Sequence, residues 1–375
     1  MNIGIDIRPL TFLNDSRVGI YQYTYNLVSN LLAIDSHNDY TLLSTFGGFR
    51  GDVRIAGKFV KRFSGRLSNL LLERLPLPIE WLIGRVDVFH GLDYFLPHCF
   101  CCKSIVTIHD LIVLKHPEFL KPEMVVSSQK RIYSSVKRSD AIITVSNFTK
   151  GEIVDLLNIP EERVRVIYIG MAPNFRRVKD RAKIEEVKAK YGVKGPYLLF
   201  VGRVEPKKNI KTLIRACVEL RNATIYKYPL LVVGEKAWGF QAVWEIVQQF
   251  HAENDTIFTD VVDGDDLPCL YSGAELFIFP SLFEGFGIPV TEAMACGTPV
   301  VASNQTSIPE IAGDAALLVD PLSVEELAGA MHNVLSNPLL KRQLVEKGLE
   351  RVKTFSWENT ARETISLYQE VCGHV

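Results

Sequence analysis

The sequence lacks a hydrophobic run long enough to cross a membrane. Its longest stretches without a charged residue, 18–34 and 293–309, are 17 residues each and contain Asn, Ser and Thr. A membrane-spanning helix needs about 20 mostly apolar residues. The first ten residues, MNIGIDIRPL, carry Asp6 and Arg8 where a secretory signal would be apolar. We therefore expect a cytoplasmic protein.

The sequence also lacks an excess of charge of either sign and a complete set of metal-binding cysteines. Its 42 Lys and Arg residues oppose 43 Asp and Glu residues, which argues against a surface that coats nucleic acid. The seven cysteines are an odd number, and only Cys99 and Cys102 have C-x-x-C spacing. No second pair or histidine pair follows to complete a zinc site, so we expect structural thiols.

The 375 residues exceed the roughly 150 that are typical of one domain, so two domains are expected. Short apolar strands alternate with helical patterns throughout, which predicts an α/β protein with two doubly wound, Rossmann-like units. We place the domains at 1–175 and 190–354, followed by an amphipathic helix over 355–375. The predicted strands are Ile3–Ile7, Tyr40–Ser44, Val86–Phe89, Ser104–Ile108, Ala141–Val145, Arg165–Ile169, Tyr197–Val201, Leu230–Val233, Thr256–Thr259, Leu276–Phe279 and Pro299–Ala302.

The most informative motif is PSLFEGFGIPVTEAMACGTPVVAS at 280–303. Its glycines let the backbone approach a ligand, and Pro289 is typical of a first helical turn. The N–H groups of that turn suit a phosphate or a polyol oxygen. Glu284 and Glu292 can accept hydrogen bonds from sugar hydroxyls, as the acid of a Rossmann fold does from ribose. The alternative is a plain strand–loop–helix with an acid near the helix start.

A second motif, FVGRVEPKKN at 200–209, lies between a strand and a helix. Arg203 and Lys208 place two cations beside a helix N-terminus, which suits a diphosphate. We expect both side chains at a solvent-filled cleft. Without the neighbouring 280–303 loop, such cations are usually solvated surface charges.

Two features of the first half are weaker. His109 follows a predicted strand, where a histidine can orient a ligand or move a proton, although a lone histidine is more often structural. Gly19 begins a helix after the first strand, a position that suits a phosphate. The double-glycine fingerprint of dinucleotide-binding folds is absent there, which counts against a nicotinamide dehydrogenase.

Together these motifs resemble the retaining glycosyltransferases of family 4, especially bacterial enzymes that use GDP-mannose. The resemblance covers nearly the whole chain. It is carried by IDIRPL at the start, HD at 109–110, TVSNFTK at 144–150, GRVEPKKN at 202–209, the Glu-x₇-Glu of 284–292, GDAALLVDP at 313–321 and FSWENTA at 355–361. The family's usual Gly-Gly at the first loop is replaced by Arg17-Val18 before Gly19, and its Asn-Gly at the end of the first domain is replaced by Ile169-Gly170.

The resemblance implies the GT-B fold, in which two Rossmann-like domains face each other across a cleft. It also implies that the last helix, 355–375, crosses back to the first domain. It implies roles for nine residues: His109 and Glu284 in catalysis, Arg203 and Lys208 at the donor diphosphate, Glu292 at the ribose, Glu284 with the amides of Phe286, Gly287 and Ile288 at the hexose, and Gly19 on the acceptor side. It also implies that no metal or other cofactor is required.

The implied reaction is transfer of a hexose with retention of configuration, with mannose from GDP-mannose as the expected donor. The expected acceptor is a glycan or a polyprenyl-diphosphate-linked oligosaccharide. A UDP-hexose donor, a sugar-nucleotide epimerase of similar fold and a non-catalytic sugar-binding module are the alternatives.

A basic and apolar segment at 54–72 suggests a further partner. It contains five basic residues and no acid, interleaved with Phe, Val and Leu. Such a segment can lie on an anionic membrane. The family resemblance favours a peripheral position at the inner face of the cell membrane, since many relatives extend lipid-linked glycans there. The alternative is a strand and a helix of the first domain with a solvated basic face.

Overall fold

Short apolar runs form the strands of two separate parallel sheets. Leu198–Val201 and Leu276–Phe279, for example, are buried along their whole length. Strands buried on both faces are typical of a parallel sheet that is covered by helices on each side. The computed structural model describes residues 1–12, 19–46, 60–64 and 77–373, and it contains this arrangement twice.

The chain divides into two units. The first unit comprises Met1–Gly170 and Phe355–Val375, and the second comprises Met171–Thr354. The division falls before the boundary expected at 175, because Phe175 packs edge-to-face on Tyr271 of the second unit, with ring centres 6.0 Å apart.

Among its described residues, the first unit contains seven parallel strands in the order β3-β2-β1-β4-β5-β6-β7. These strands are β1 (Asn2–Asp6), β2 (Asp39–Phe46), β3 (Val60–Ser64), β4 (Val88–Gly91), β5 (Lys103–Ile108), β6 (Ala141–Thr144) and β7 (Val164–Val166). Its described helices are α1 (Pro9–Phe12), α2 (Gly19–Ile34), α3 (Glu80–Ile83), α4 (Ile112–Lys115), α5 (Pro122–Arg138), α6 (Asn147–Leu157) and, from the end of the chain, α15 (Trp357–Val371). Helix α15 packs against α2.

The second unit contains six parallel strands in the order β10-β9-β8-β11-β12-β13. These strands are β8 (Leu198–Val201), β9 (Leu230–Val233), β10 (Thr256–Asp260), β11 (Leu276–Phe279), β12 (Val300–Ser303) and β13 (Leu317–Val319). Its helices are α7 (Arg181–Lys190), α8 (Ile210–Ala223), α9 (Phe240–Gln249), α10 (Leu267–Gly273), α11 (Ile288–Ala295), α12 (Ile308–Ala312), α13 (Val324–Ser336) and α14 (Pro338–Arg351).

The predicted α/β architecture is confirmed, and every predicted strand is present with its ends shifted by at most three residues. The strands β3 and β13 were not predicted. Helix starts follow local chemistry: the Ser323 hydroxyl accepts a hydrogen bond from the Glu326 amide and caps α13. No helix in the described ranges is both long and apolar enough to span a lipid bilayer.

Candidate active site

Two loops meet at the carboxyl edge of the second sheet. Strands β8 and β11 are parallel neighbours, so the loops that follow them, 202–209 and 280–287, begin side by side. The Leu282 amide donates a hydrogen bond to the Lys207 carbonyl at 2.7 Å. The two segments that the sequence predicted to bind one ligand are therefore in direct contact.

A buried ion pair connects these loops. The Lys208 Nζ atom lies 2.5 Å from Glu284 Oε1 and 4.9 Å from the centre of the Phe279 ring. Lys208 is only 9% exposed and Glu284 only 8%. The expectation of a solvent-filled position is therefore wrong for Lys208, because the aliphatic stem packs in the interior and the ammonium group is neutralised by Glu284.

Other groups fix the position of Glu284. The Ser281 hydroxyl donates to Oε1 at 2.6 Å, the Glu284 amide donates to Thr306 Oγ1 at 3.2 Å, and the Ser307 hydroxyl donates to the Glu284 carbonyl at 2.9 Å. Burial raises the pKa of Glu284, but the Lys208 charge and the hydrogen bonds outweigh burial and hold the pKa below its ordinary value. Glu284 is thus a fixed carboxylate at neutral pH.

Arg203 has a different environment from Lys208. Its side chain is half exposed, and Nε donates to Glu235 Oε2 at 2.9 Å. The structure therefore places one of the two predicted cations in a buried pair and the other in a surface pair.

The turn before α11 requires glycine. Gly287 has φ +99° and ψ +47°, and a Cβ there would lie 2.5 Å from Ile308 Cδ1. Helix α11 starts at Ile288, with Pro289 in its first turn. The amides of a first turn have no partner within the helix and lie at the positive end of its dipole. Because the Phe286 side chain is buried, this residue offers a ligand its backbone rather than its ring.

Glu292 lies within α11 and is partly buried. The Tyr271 hydroxyl donates to Glu292 Oε2 at 2.8 Å. Burial raises the pKa of Glu292 to about 8, and the Tyr271 hydrogen bond opposes this rise only in part. Sequence reasoning missed Tyr271, since only the packing of α10 against α11 brings it to Glu292.

In the first unit, His109 directly follows β5. Its Nε2 atom lies 3.0 Å from the Leu92 carbonyl oxygen, and its ring meets the Tyr23 ring edge-to-face at 4.6 Å. Because a carbonyl can only accept, Nε2 carries the proton in this hydrogen bond. The ring is thereby held in one orientation.

A second histidine, which sequence reasoning missed, lies beside it. His90 is fully buried, with Nδ1 2.7 Å from the Tyr368 hydroxyl and Nε2 2.8 Å from Thr107 Oγ1. Burial, together with the smaller effect of the His109 charge, lowers the pKa of His90 to about 3. His90 is a neutral residue that connects β4 and β5 to α15.

Gly19 is the exposed first residue of α2. The preceding residues 13–18, including the Arg17-Val18 pair of the predicted loop, lie outside the described residues. At the end of β1, the buried Arg8 guanidinium pairs with Asp6, with Nη2 2.5 Å from Oδ2. The predicted site residues thus divide between the carboxyl edges of two sheets.

Two family models match this sequence. The model described as "Glycosyl transferases group 1" matches residues 157–351, just over half of the chain, and "Glycosyltransferase Family 4" matches residues 19–175. The chain belongs to the group 1 glycosyltransferases, and the resemblance to family 4 is confirmed. The protein is therefore a glycosyltransferase.

Relatives and solved structures agree with this assignment. The chain is 34% identical over 283 residues to the O-antigen chain mannosyltransferase B of Escherichia coli, covering 75% of this chain and 74% of the relative. It is 31% identical over 267 residues to the serotype-specific mannosyltransferase WbdA of Escherichia coli, covering 70% of this chain and 33% of that longer relative.

Solved structures show the fold. Sucrose-phosphate synthase from Thermosynechococcus elongatus superposes with a TM-score of 0.81 at 22% identity, covering 100% of both chains. A glycosyltransferase from Rickettsia africae superposes with a TM-score of 0.75 at 20% identity, covering 99% of this chain and 98% of that one. The expected GT-B fold class is confirmed.

Proposed function

We propose that this protein is a retaining mannosyltransferase that transfers mannose from GDP-mannose to a glycan or a lipid-linked oligosaccharide. The observation that carries the proposal is the buried Lys208–Glu284 pair beside the glycine turn at the N-terminus of α11. This arrangement combines a cation, a carboxylate and first-turn amides at one sheet edge. The mannosyltransferase names of the relatives support the choice of sugar.

Lys208 and Arg203 are proposed to bind the donor diphosphate. An ammonium group has three N–H donors, and Lys208 uses one of them on Glu284. The remaining donors, the surface guanidinium of Arg203 and the dipole of α11 supply positive charge where the leaving diphosphate gains negative charge. The proposal therefore requires no metal ion, and activity should be unchanged in the presence of EDTA.

Glu284 and the amides of Phe286, Gly287 and Ile288 are proposed to hold the hexose, and Glu292 the ribose. Because Lys208 neutralises Glu284, we do not assign this carboxylate as a covalent nucleophile. Instead, the acceptor oxygen bonds to the anomeric carbon on the face from which the diphosphate leaves. The acceptor proton passes to the departing phosphate oxygen, and the anomeric configuration is retained.

In the first unit, His109 is proposed to act at the donor sugar and Gly19 on the acceptor side, as the family resemblance implies. The bond to the Leu92 carbonyl leaves Nδ1 of His109 as the atom available to a ligand. Replacing His109 with Ala should lower kcat with little change in nucleotide affinity.

The acceptor is proposed to be presented at an anionic membrane through 54–72. Of this segment, residues 60–64 form edge strand β3, and the other residues lie outside the described part of the chain. Co-sedimentation with anionic vesicles at low salt tests the contact. No binding, or binding unaffected by Lys58→Glu, Lys61→Glu and Arg62→Glu together, would contradict it.

Thermal shift and product analysis test the main proposal. A ligand that binds only the folded protein raises its apparent stability, so GDP and GDP-mannose should raise Tm. NMR of the product should show a retained anomeric configuration. A Tm rise with UDP-glucose but not with GDP or GDP-mannose would overturn the donor, and donor isomerisation without acceptor would indicate an epimerase instead.

A further inference from the structure

The two oxygens of the Glu292 carboxyl group differ. Oε2 accepts the hydrogen bond from the Tyr271 hydroxyl at 2.8 Å. Oε1 has no hydrogen-bond partner among residues 1–12, 19–46, 60–64 and 77–373, and Glu292 is only partly buried. One oxygen is therefore held by the protein while the other is available to a ligand.

Tyr271 is held firmly enough to fix that oxygen. Its side chain is fully buried, and its ring meets Phe277 at 5.4 Å and Phe175 at 6.0 Å, both edge-to-face. The Thr298 hydroxyl donates to the Tyr271 carbonyl at 2.6 Å, which fixes the backbone as well. The packing of the ring thereby fixes the position of the hydroxyl oxygen beside Glu292.

Fixing Glu292 matters because a free glutamate has many rotamers. Immobilising a glutamate side chain therefore costs conformational entropy. If the protein orders the side chain before a ligand arrives, the ligand does not bear that cost, and its affinity rises.

We propose that Tyr271 is a positioning residue that holds Glu292 by one carboxyl oxygen so that the other oxygen forms a hydrogen bond with a ribose hydroxyl of the donor nucleotide. This inference rests on the proposed function, in which Glu292 binds the ribose. Tyr271 itself does not touch the nucleotide and acts through Glu292.

The competing explanation is a purely structural connection between α10 and α11. Under that explanation, removing the hydroxyl lowers stability but leaves nucleotide affinity unchanged. A measurement of nucleotide binding therefore distinguishes the two explanations, whereas a melting curve does not.

The test is calorimetric titration of Tyr271→Phe, which keeps the ring and removes only the hydroxyl. GDP and UDP serve as probes, each beside its 2′,3′-dideoxy analogue. For the nucleotide that the wild type binds, we expect Kd to rise about 3- to 10-fold, the range for one lost hydrogen bond. The dideoxy analogue has no 2′- or 3′-hydroxyl that could form a hydrogen bond with Glu292, so its Kd should be the same in the wild type and in Tyr271→Phe.

A matched control comes from the first unit. There, the Tyr40 hydroxyl donates to the Asp35 carboxylate at 2.5 Å, so Tyr40→Phe removes a buried hydroxyl of the same kind. It should lower Tm without changing nucleotide affinity. In a Glu292→Ala background, Tyr271→Phe should have no further effect on Kd, because its action passes through Glu292.

The outcomes are distinct. Unchanged affinity in Tyr271→Phe, an equal effect with the dideoxy nucleotide, or an additive effect with Glu292→Ala would overturn this inference alone. If the wild type bound neither GDP nor UDP, the proposed function would fail and this inference would fail with it.

Discussion

The two units each contain a buried polar cluster, but one is ionic and the other is neutral. In the second unit, Lys208 and Glu284 form an ion pair that connects two loops of the same sheet edge. In the first unit, His90 makes neutral hydrogen bonds to Tyr368 and Thr107. An ion pair supplies fixed charge for an anionic ligand, whereas a neutral network holds structural elements together without charge.

The units also differ in chain connectivity. The second unit is one continuous segment, 171–354, whereas the first needs 355–375 in addition to 1–170. Helix α15, which returns to the first unit from the end of the chain, contributes Tyr368 to the neutral cluster. This difference implies that the first unit is sensitive to removal of the chain terminus.

The largest expected effect is the loss of α15. Deleting 355–375 removes the buried side chains of Trp357, Leu367 and Tyr368 from the first unit. At roughly 1.5–3 kcal/mol for each buried side chain, the loss is about 5 kcal/mol or more. We expect Tm to fall by on the order of 10 °C or more, or the protein to become insoluble.

Deletion of 373–375 alone is the control, since these residues follow the end of α15 at Val371. It should leave Tm unchanged. A 355–375 deletion with the wild-type Tm would show that the first unit folds without the returning helix.

The next largest effect is expected from the ionic cluster. Lys208→Met keeps the apolar stem but leaves Glu284 buried without its partner, which costs about 3–5 kcal/mol of stability. Loss of a preorganised cation should also lower kcat/KM roughly 100- to 1,000-fold. Urea unfolding and steady-state kinetics with the nucleotide sugar measure the two effects separately.

The double variant Lys208→Met/Glu284→Gln separates stability from catalysis. It removes both charges, so part of the lost stability should return while activity stays low. Near wild-type kcat/KM in Lys208→Met would remove the diphosphate assignment, and unchanged unfolding would contradict a buried pair.

The strands and their order of appearance could be predicted because buried parallel strands are short, apolar and bounded by turns. Strand β3 was missed because its sequence, VKRFS, includes two charges at a sheet edge. Strand β13, Leu317–Val319, was also missed, although its apolar sequence is similar to that of the predicted strands. The helices after 303 leave clearer signals, since Ser323 and Glu326 form a capping pattern that sequence reasoning could have used.

The meeting of the 202–209 and 280–287 loops could also be predicted, since both follow strands of one parallel sheet. The sequence could not predict which of the two cations, Arg203 or Lys208, would be buried. Asn209 adopts φ +55° after the 3₁₀ turn that carries Lys208, and that local geometry is absent from the sequence pattern. Contacts such as His90–Tyr368, which joins residues 278 positions apart, depend entirely on tertiary packing.

Arg203 sharpens the contrast with Lys208, because its ion pair with Glu235 is exposed and worth about 0–1 kcal/mol. Arg203→Ala should change the free energy of unfolding by no more than about 0.5 kcal/mol. If Arg203 binds the diphosphate, kcat/KM should fall roughly 10- to 100-fold. Glu235→Gln is the matched control and should leave kcat/KM near wild type, whereas unchanged activity in Arg203→Ala would restrict diphosphate binding to Lys208.

The smallest expected effect tests whether the His90 cluster of the first unit is neutral. The pKa of His90 is lowered to about 3 by burial and by His109, against about 6.5 in an unfolded chain. Below pH 6.5 the unfolded state therefore binds a proton that the folded state does not, and stability falls as pH falls. Between pH 7 and 5.5 this contribution is about 1 kcal/mol.

In His90→Gln, a neutral amide can still donate and accept hydrogen bonds but does not titrate. We expect the free energy of unfolding of this variant to decline less steeply than that of the wild type from pH 7 to 5.5, by about 1 kcal/mol in total. His37→Gln, at an exposed position, controls for the loss of a histidine as such and should keep the wild-type slope. Equal slopes in all three proteins would mean that His90 is protonated in the folded state, and the contrast between an ionic and a neutral cluster would then be wrong.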